Sequence, residues 1–253
     1  MPQSNVLRPP LGSVLRAPFD DGWTPRNLGN LNEWWDAENL PSFTFNGSAV
    51  SAWKGRAVGV VASQAVAGSQ PGYSATAFNG KRPGVTFDGV ADELTAASVL
   101  SGATAGELWA LVDQTAAAAD TTTRVAFSTG SSAASKRELA RVVASGTNRA
   151  RAATFDGSTT PTAQDTTVDF SGVHLIRAIF APLLLTLEID GVVTSTVITG
   201  NSTGSGRTRI GANPVSTAGN FFQGVGNSFL AFNGLLSLNE ANQMSAYFNA
   251  RRV

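Results

Sequence analysis

The sequence predicts an all-β chain: a two-sheet antiparallel sandwich with an extended N-terminal arm and one short C-terminal helix. Three observations carry this. From about residue 31 to 236, short β-branched, aromatic and aliphatic runs are separated by Gly, Ser, Thr, Asn and Asp clusters, the texture of strands joined by tight turns. Nothing alternates strand with helix, which argues against a nucleotide-binding α/β architecture. Helical spacing with a capping signature shows only near the C-terminus.

The arm comes first. Pro2, Pro9, Pro10, Pro18 and Pro25 punctuate residues 1–30, with Gly12, Gly22 and Gly29. Proline fixes φ and removes an N–H donor, so helix and central strand are both blocked. Yet the arm carries Val6, Val14, Leu7, Leu11, Leu15, Phe19 and Trp23, more apolar surface than a solvated tail usually holds. Leu7, Leu11, Leu15, Phe19 and Trp23 are the candidate docking residues, against either the chain's own body or a partner.

Residues 31–253 form the body. Strands are expected at 57–62, 82–87, 107–112, 124–128, 138–144, 149–155, 173–180, 208–210 and 226–232. The clearest hairpin is 183–198. Leu183, Leu185, Leu187 and Ile189 share one face by period two, and Asp190-Gly191 is a two-residue turn signal. The Ala/Ser/Thr-rich stretches 113–123 and 128–135 read as loops. The helix is expected at 237–252. Ser237 and Glu240 form a capping box, Leu238, Ala241, Met244, Tyr247 and Phe248 make an apolar stripe, and Arg251 and Arg252 sit where the helix dipole favours cations.

Composition excludes several chemistries. The 18 basic and 18 acidic residues cancel, which argues against nucleic-acid or polybasic membrane binding. There is no cysteine and one histidine, His174, so disulfides, thiolate sites and multi-histidine metal sites are out. No apolar run approaches the roughly 20 residues of a membrane span, and Met1–Pro10 has no signal-like apolar region. Fifteen arginines against three lysines, with abundant Ala and Gly, point to GC-rich coding.

Several segments, in order, resemble the concanavalin A-like lectin/glucanase superfamily, in its laminin-G-like variety found in tailed-phage virion and bacterial surface proteins. They are Trp23-Thr24-Pro25 with Leu31-Asn32-Glu33-Trp34-Trp35-Asp36-Ala37, then Val50-Ser51-Ala52-Trp53-Lys54, then Pro71 and Tyr73. Asn79-Gly80 through Val85-Thr86-Phe87-Asp88-Gly89 follows, with Asp92 and Leu94. His174, Asp190-Gly191, Ile210-Gly211, Phe222-Gln223-Gly224 and the closing Leu236–Glu240 segment complete the set. The extra glycine in Gly224-Val225-Gly226 departs from the pattern and marks a bulge. The resemblance covers about residues 23–253 and implies a jelly-roll sandwich. Trp35, Trp53 and Phe87 then read as core between sheets roughly 10 Å apart.

Catalytic residues are not expected. Laminarinase-like members carry Glu-x-Asp-x-x-Glu on one strand; here Glu188-Ile189-Asp190-Gly191-Val192-Val193 lacks the last carboxylate and uses Asp190-Gly191 as a turn. Asp92-Glu93 reads as solvated loop. A Ser-His-Asp triad would rest on His174, and no Gly-x-Ser-x-Gly elbow exists; His174 reads as structural. No cofactor is expected. Were calcium held, as in laminin-G-like relatives, Asp113, Asp120, Asp156 and Asp165 would supply oxygens. Lys136, Arg137, Arg141, Arg149 and Arg151 read as a solvated sheet face or an interface. Asn46-Gly47-Ser48 and Asn201-Ser202-Thr203 match glycosylation sequons.

Together these imply a non-enzymatic structural or adhesive virion protein of a tailed phage: a head decoration, head spike or tail module. The arm would dock on capsid or tail proteins, as a homo-oligomer, and outer loops would touch host-surface polysaccharide. No nucleic acid or membrane insertion is expected. The alternatives are a free bacterial cell-surface lectin, which requires an exposed aromatic platform, and a glycan hydrolase or lyase, which requires two carboxylates in one cleft.

Overall fold

The computed structural model describes residues 22–100, 102–115, 121–215 and 217–253. Leu7, Leu11, Leu15 and Phe19 of the expected arm, and Asp120, lie outside the described residues. The strands are β1 (Leu31–Asp36), β2 (Phe43–Asn46), β3 (Ala49–Lys54), β4 (Val61–Ser63), β5 (Gly72–Phe78), β6 (Arg82–Asp88), β7 (Leu94–Ala97), β8 (Gly106–Asp113), β9 (Arg124–Gly130), β10 (Arg137–Ala144), β11 (Thr147–Thr154), β12 (Thr162–Gln164), β13 (Val173–Ala181), β14 (Leu184–Ile189), β15 (Val192–Val197), β16 (Arg207–Ile210) and β17 (Gln223–Phe232). One helix, α1 (Leu238–Asn249), closes the chain.

The body is all-β and antiparallel, and its strands join in one hydrogen-bonded network. Two rows can be traced within it. One runs β15–β14–β13–β8–β17, after which β17 pairs with both β1 and β6, and β6 with β5. The other runs β12–β11–β10–β9–β16–β7–β4–β3–β2. Instead of the two separate sheets expected, the rows are welded where Ala49 of β3 pairs with Gly72 of β5. At the far side Thr196 of β15 donates its hydroxyl to the Thr162 carbonyl of β12 at 2.8 Å. The shell is nearly a closed barrel.

The main core fills this shell and draws on both rows: Leu108, Ala110, Val112, Phe180 and Phe229 from one, Trp53, Leu94, Phe127, Leu139 and Ile210 from the other. Trp35, Trp53 and Phe87 belong to it, as expected. Each large side chain fully buried here contributes roughly 1.5–3 kcal/mol. A second core lies on the outer face of the first row. Trp109 and Leu111 of β8 meet Leu230, Phe232, Met244 and Phe248 beneath α1. β8 is therefore buried on both sides along its whole length.

The capping box forms: Glu240 N–H donates to Ser237 Oγ at 3.3 Å, and Ser237 N–H to Glu240 Oε2 at 2.8 Å. The helix ends at Asn249, three residues short of expectation, because Arg251 turns inward. Its guanidinium donates to the fully buried Asp36 at 2.9 Å and lies over Tyr247, 4.6 Å from the ring centroid. Arg56 pairs with the same Asp36. Arg252 pairs with Asp190 at 2.8 Å. The two arginines serve specific carboxylates rather than the helix dipole.

Other expectations are corrected. Residues 25–27 form a 3-10 turn inside the arm, with Pro25 buried, and Trp23 packs edge-on against Tyr247 at 5.8 Å. The strand expected at 57–62 is shorter and later, as β4. The 128–135 stretch is not all loop, since β9 runs to Gly130 and 133–135 is a 3-10 turn. Leu183 falls in the turn before β14 and is 65% exposed, whereas Leu185, Leu187 and Ile189 are buried. The bulge expected near Gly224 is a register shift between Gly226 and Ser228 against β8. Strands β1, β2, β3, β5, β7 and β12 are additional to those read from strand periodicity.

Candidate functional site

An aromatic strip marks one end of the second row. Among the described residues β2 pairs only with β3, so it is an edge. Phe43 and Phe45, two residues apart, project to the same side. Phe43 stacks on buried Trp53 at 4.9 Å and 25°, Phe45 stacks on Phe43 at 5.6 Å and 27°, and Tyr73 of β5 meets both, at 4.9 and 5.5 Å. The strip grades from core to surface. Trp53 is fully buried, Phe43 and Tyr73 are half-buried, and Phe45 is 38% exposed. Burial raises the Tyr73 phenol above its ordinary range, so it stays a neutral donor and acceptor. Polar groups flank the strip: Asn46 Nδ2 donates to Gln70 Oε1 at 3.2 Å, and Ser51 Oγ to the Thr44 carbonyl at 3.0 Å. Flat, anchored rings beside amides and hydroxyls suit a ligand with an apolar face and a polar rim.

A second feature is a pocket of about 170 Å³ between the hairpin β13–β14 and α1, lined by Arg177, Glu188, Asp190, Asn242, Ser245 and Asn249. Glu188 and Asp190 face it together, two residues apart. Each is tied down. Arg177 donates to Glu188 at 3.0 Å and to Glu107 at 2.8 and 2.9 Å, and its guanidinium lies 4.8 Å from the Trp109 centroid. Glu107, fully buried, also accepts from Trp109 Nε1 and the Leu236 N–H, both at 2.8 Å. Asp190 accepts from His174 Nδ1 at 2.8 Å, the Leu175 N–H at 3.0 Å and Arg252 at 2.9 Å. Burial pulls the Asp190 carboxyl up, but the His174 and Leu175 bonds outweigh it and hold it below the usual range. A carboxylate so held is not a proton donor near neutral pH.

The carboxyl that moves the other way is Asp92. Burial, then the adjacent Asp88 charge, push it up to about 6. It accepts from the Asp88 N–H at 3.0 Å, while Asp88 Oδ1 accepts from Val90, Ala91 and Asp92. This is a turn held by its own carboxylates. The expectation of a solvated Asp92-Glu93 is corrected: Asp92 is buried, and Glu93 pairs with Arg209 at 3.1 Å.

The remaining candidates disperse. His174 is buried against Phe170, 5.1 Å between centroids. Asp113, Asp156 and Asp165 each cap a turn, accepting from Thr115, from Ser158 and Thr159, and from Thr167 and Val168. Four donors, the Ser158 and Thr159 N–H groups and the Thr159 and Thr199 hydroxyls, hold Asp156 at about 2. Among the described residues no three His, Asp or Glu converge as a metal site. The basic cluster splits. Arg137 and Arg141 share the inner face of β10 with Leu139 and are fully buried, not solvated. Arg137 donates to the Ser202 and Ala103 carbonyls and lies 5.0 Å from the Phe180 centroid, and burial lowers it to about 10. Arg149 and Arg151 point outward. The reading of the sequence missed Phe43 and Phe45, although Phe-x-Phe before the Gly47-Ser48 turn is a hairpin signal.

No protein-family model matches the chain, and no curated protein matches it in sequence. Solved structures do resemble it in fold. A Trypanosoma rangeli sialidase in complex with 2,3-difluoro-KDN superposes with a TM-score of 0.59 at 14% identity, over 88% of this chain and 33% of that one. An arabinofuranosidase complexed with arabinofuranosyl-α-1,2-xylobiose gives 0.57 at 12% identity, over 81% and 51%. Domain 4 of AbnA, an extracellular arabinanase from Geobacillus stearothermophilus, solved with arabinotriose, gives 0.55 at 12% identity, over 85% and 98%. The chain thus spans about a third of the sialidase's length and nearly all of the arabinanase domain. At these identities the likeness is one of fold.

Proposed function

We propose that this chain is a non-catalytic carbohydrate-binding module whose sugar platform is the Phe43–Phe45–Tyr73 strip. The observation that carries this reading is the graded stack: Phe45 is exposed yet held flat by Phe43, itself seated on buried Trp53. Such a surface is ordered before a ligand arrives, which lowers the entropy cost of binding. The ion-paired state of Glu188 and Asp190 supports the absence of glycosidic cleavage. Titration with arabinotriose and a panel of neutral oligosaccharides tests it. Millimolar binding to at least one is expected, with Phe45→Ala weakening it about tenfold, roughly 1.4 kcal/mol, while the circular dichroism stays unchanged. No binding across the panel, or an unaltered Phe45→Ala, overturns the platform.

We further propose that the module is displayed on a tailed-phage particle, as a homo-oligomer fixed by arm 1–30. The apolar, proline-rich composition of the arm and the sequence resemblance support this. Repetition on a symmetric particle would raise weak glycan contacts by multivalency. Deleting residues 1–22 should abolish incorporation into particles; unchanged incorporation removes the role of the arm.

A further inference from the structure

The outer face of the second row carries charge that its own residues do not balance. Residues opposite the core-facing Ala150, Ala152, Ala163, Leu139 and Ile210 project here by period two: Arg149 and Arg151 of β11, Gln164 of β12, Glu138 of β10, and Arg207 and Arg209 of β16. Glu138 pairs with Lys136 at 3.2 Å, Arg209 with Glu93 at 3.1 Å, and Arg149 lies 3.9 Å from Asp165. With Lys136, five cations meet three carboxylates.

Among the described residues neither Arg207 nor Arg151 has an ion pair, and Arg151 is the one set beside Arg149 and Gln164. Glu138 favours the charge of Arg151 from a distance, but no described residue hydrogen-bonds it or forms an ion pair with it, and its Nε is buried without a partner. It sits opposite Gln164 in the β11–β12 register. Ala140, its partner in β10, and Ala153 beside it are small and buried. Next to it a pocket of about 130 Å³ is lined by Arg149, Gln164, Ser145 and Thr166, among others. A half-buried guanidinium with a free edge, beside a second arginine and an amide, is the geometry that takes a carboxylate through paired N–H donors.

We propose that Arg151, with Arg149 and Gln164, is an anion-binding point, and that this face takes a polysaccharide bearing one carboxylate per sugar. The spacing of charge favours this over nucleic acid. Glu138 and Asp165 interrupt the cations, so a duplex with one phosphate charge per roughly 1.7 Å would meet repulsion. A polymer with one carboxylate per sugar can step past them. The point is separate from the aromatic strip, because β2 and β11 lie towards opposite ends of the second row.

Galacturonic-acid hexamer is the probe, titrated at 50 and 300 mM salt against the full chain. Expected are binding that weakens with salt, a loss of tenfold or more in Arg151→Gln, and near-unchanged affinity in Phe45→Ala. The unfolding midpoint of Arg151→Gln should stay close to the parent's, since the side chain loses no hydrogen bond or close ion pair and only a longer-range attraction to Glu138. Absence of hexamer binding, or equal affinity in Arg151→Gln, overturns the anion point. A 12-nucleotide single-stranded DNA binding more tightly than the hexamer overturns the choice of polysaccharide. Loss in Phe45→Ala with none in Arg151→Gln would assign the hexamer to the platform and remove this site, so the two readings fail separately.

Discussion

Replacing Arg251 with methionine should destabilise the fold by about 3 kcal/mol. Arg251 donates to Asp36 at 2.9 and 3.5 Å and to Ser228 at 3.3 Å. Its guanidinium lies over Trp34, Tyr247 and Phe248, 5.7, 4.6 and 5.6 Å from their centroids. Asp36 is fully buried. Removing one partner of a buried pair costs roughly 3–5 kcal/mol, because the other charge is left uncompensated. Arg56 still reaches Asp36, which places the loss at the lower end. In a chain of this size that is a fall of roughly 6–12 °C in Tm. Urea unfolding followed by tryptophan fluorescence should show a lower midpoint with an unchanged slope. Asp36→Asn should cost less in the Arg251→Met background than alone, with a coupling of about 1–2 kcal/mol. A loss under about 1 kcal/mol, or strict additivity, would show that the pair does not fasten the C-terminus.

Asp92→Asn should stabilise the protein at pH 7 by about 1 kcal/mol, the full shift being discounted for solvent screening. The folded carboxyl sits at about 6, above its ordinary 3.8, so the folded state binds more protons between those values and stability falls as pH rises from about 4 to 6. Urea midpoints of Asp92→Asn across that window should be flatter than the parent's; an equally steep decline would exclude Asp92 as the cause. Gly211→Ala should cost roughly 2 kcal/mol or more, because its φ is +91° and an added Cβ would lie 2.5 Å from two Phe87 ring atoms. An unchanged melting temperature would count against that packing.

Local rules made much of the fold readable. Asp190-Gly191 forms its turn with both residues at positive φ, 51° and 88°, and the helix begins at the Ser237–Glu240 box. What escaped was of two kinds. Short strands such as β2 and β12, of four and three residues, carry too little periodicity to stand out alone. Asn46-Gly47-Ser48 reads as a sequon until Phe43-x-Phe45 is set beside it as one arm of a hairpin. Period two also fixes which residues share a face but not which face is inside. Arg137 and Arg141 alternate correctly with Glu138 and Ala140, yet they point into the shell, where they donate to the Ser202 and Ala103 carbonyls and to Asn148. Ser202 and Ala103 lie 65 and 34 residues from Arg137, and partners that distant leave no local trace. The same is true of Glu33, a buried carboxylate accepting the N–H groups of Ala57, Gly59 and Val60 at 2.6–2.8 Å.

The acidic residues of the α1 pocket bear on how the molecule divides its labour. Glu188 and Asp190 line it, with the buried Glu107 joined to Glu188 through Arg177, and these are the carboxylates that could have served a bound substrate. Instead Glu107 binds the Leu236 N–H at the approach to the helix, Glu188 holds Arg177 in place behind it, and Asp190 grips Arg252 just past its end. All three fasten α1 and its flanks to the first row. Freeing Glu107 or Asp190 would loosen the flanks of the helix that covers Trp109 and Leu111. On the second row the edge strand shows Phe45, and the outer face shows part of Arg151. Recognition is therefore expected on the second row, with the first row and its helix supplying the rigidity that holds it.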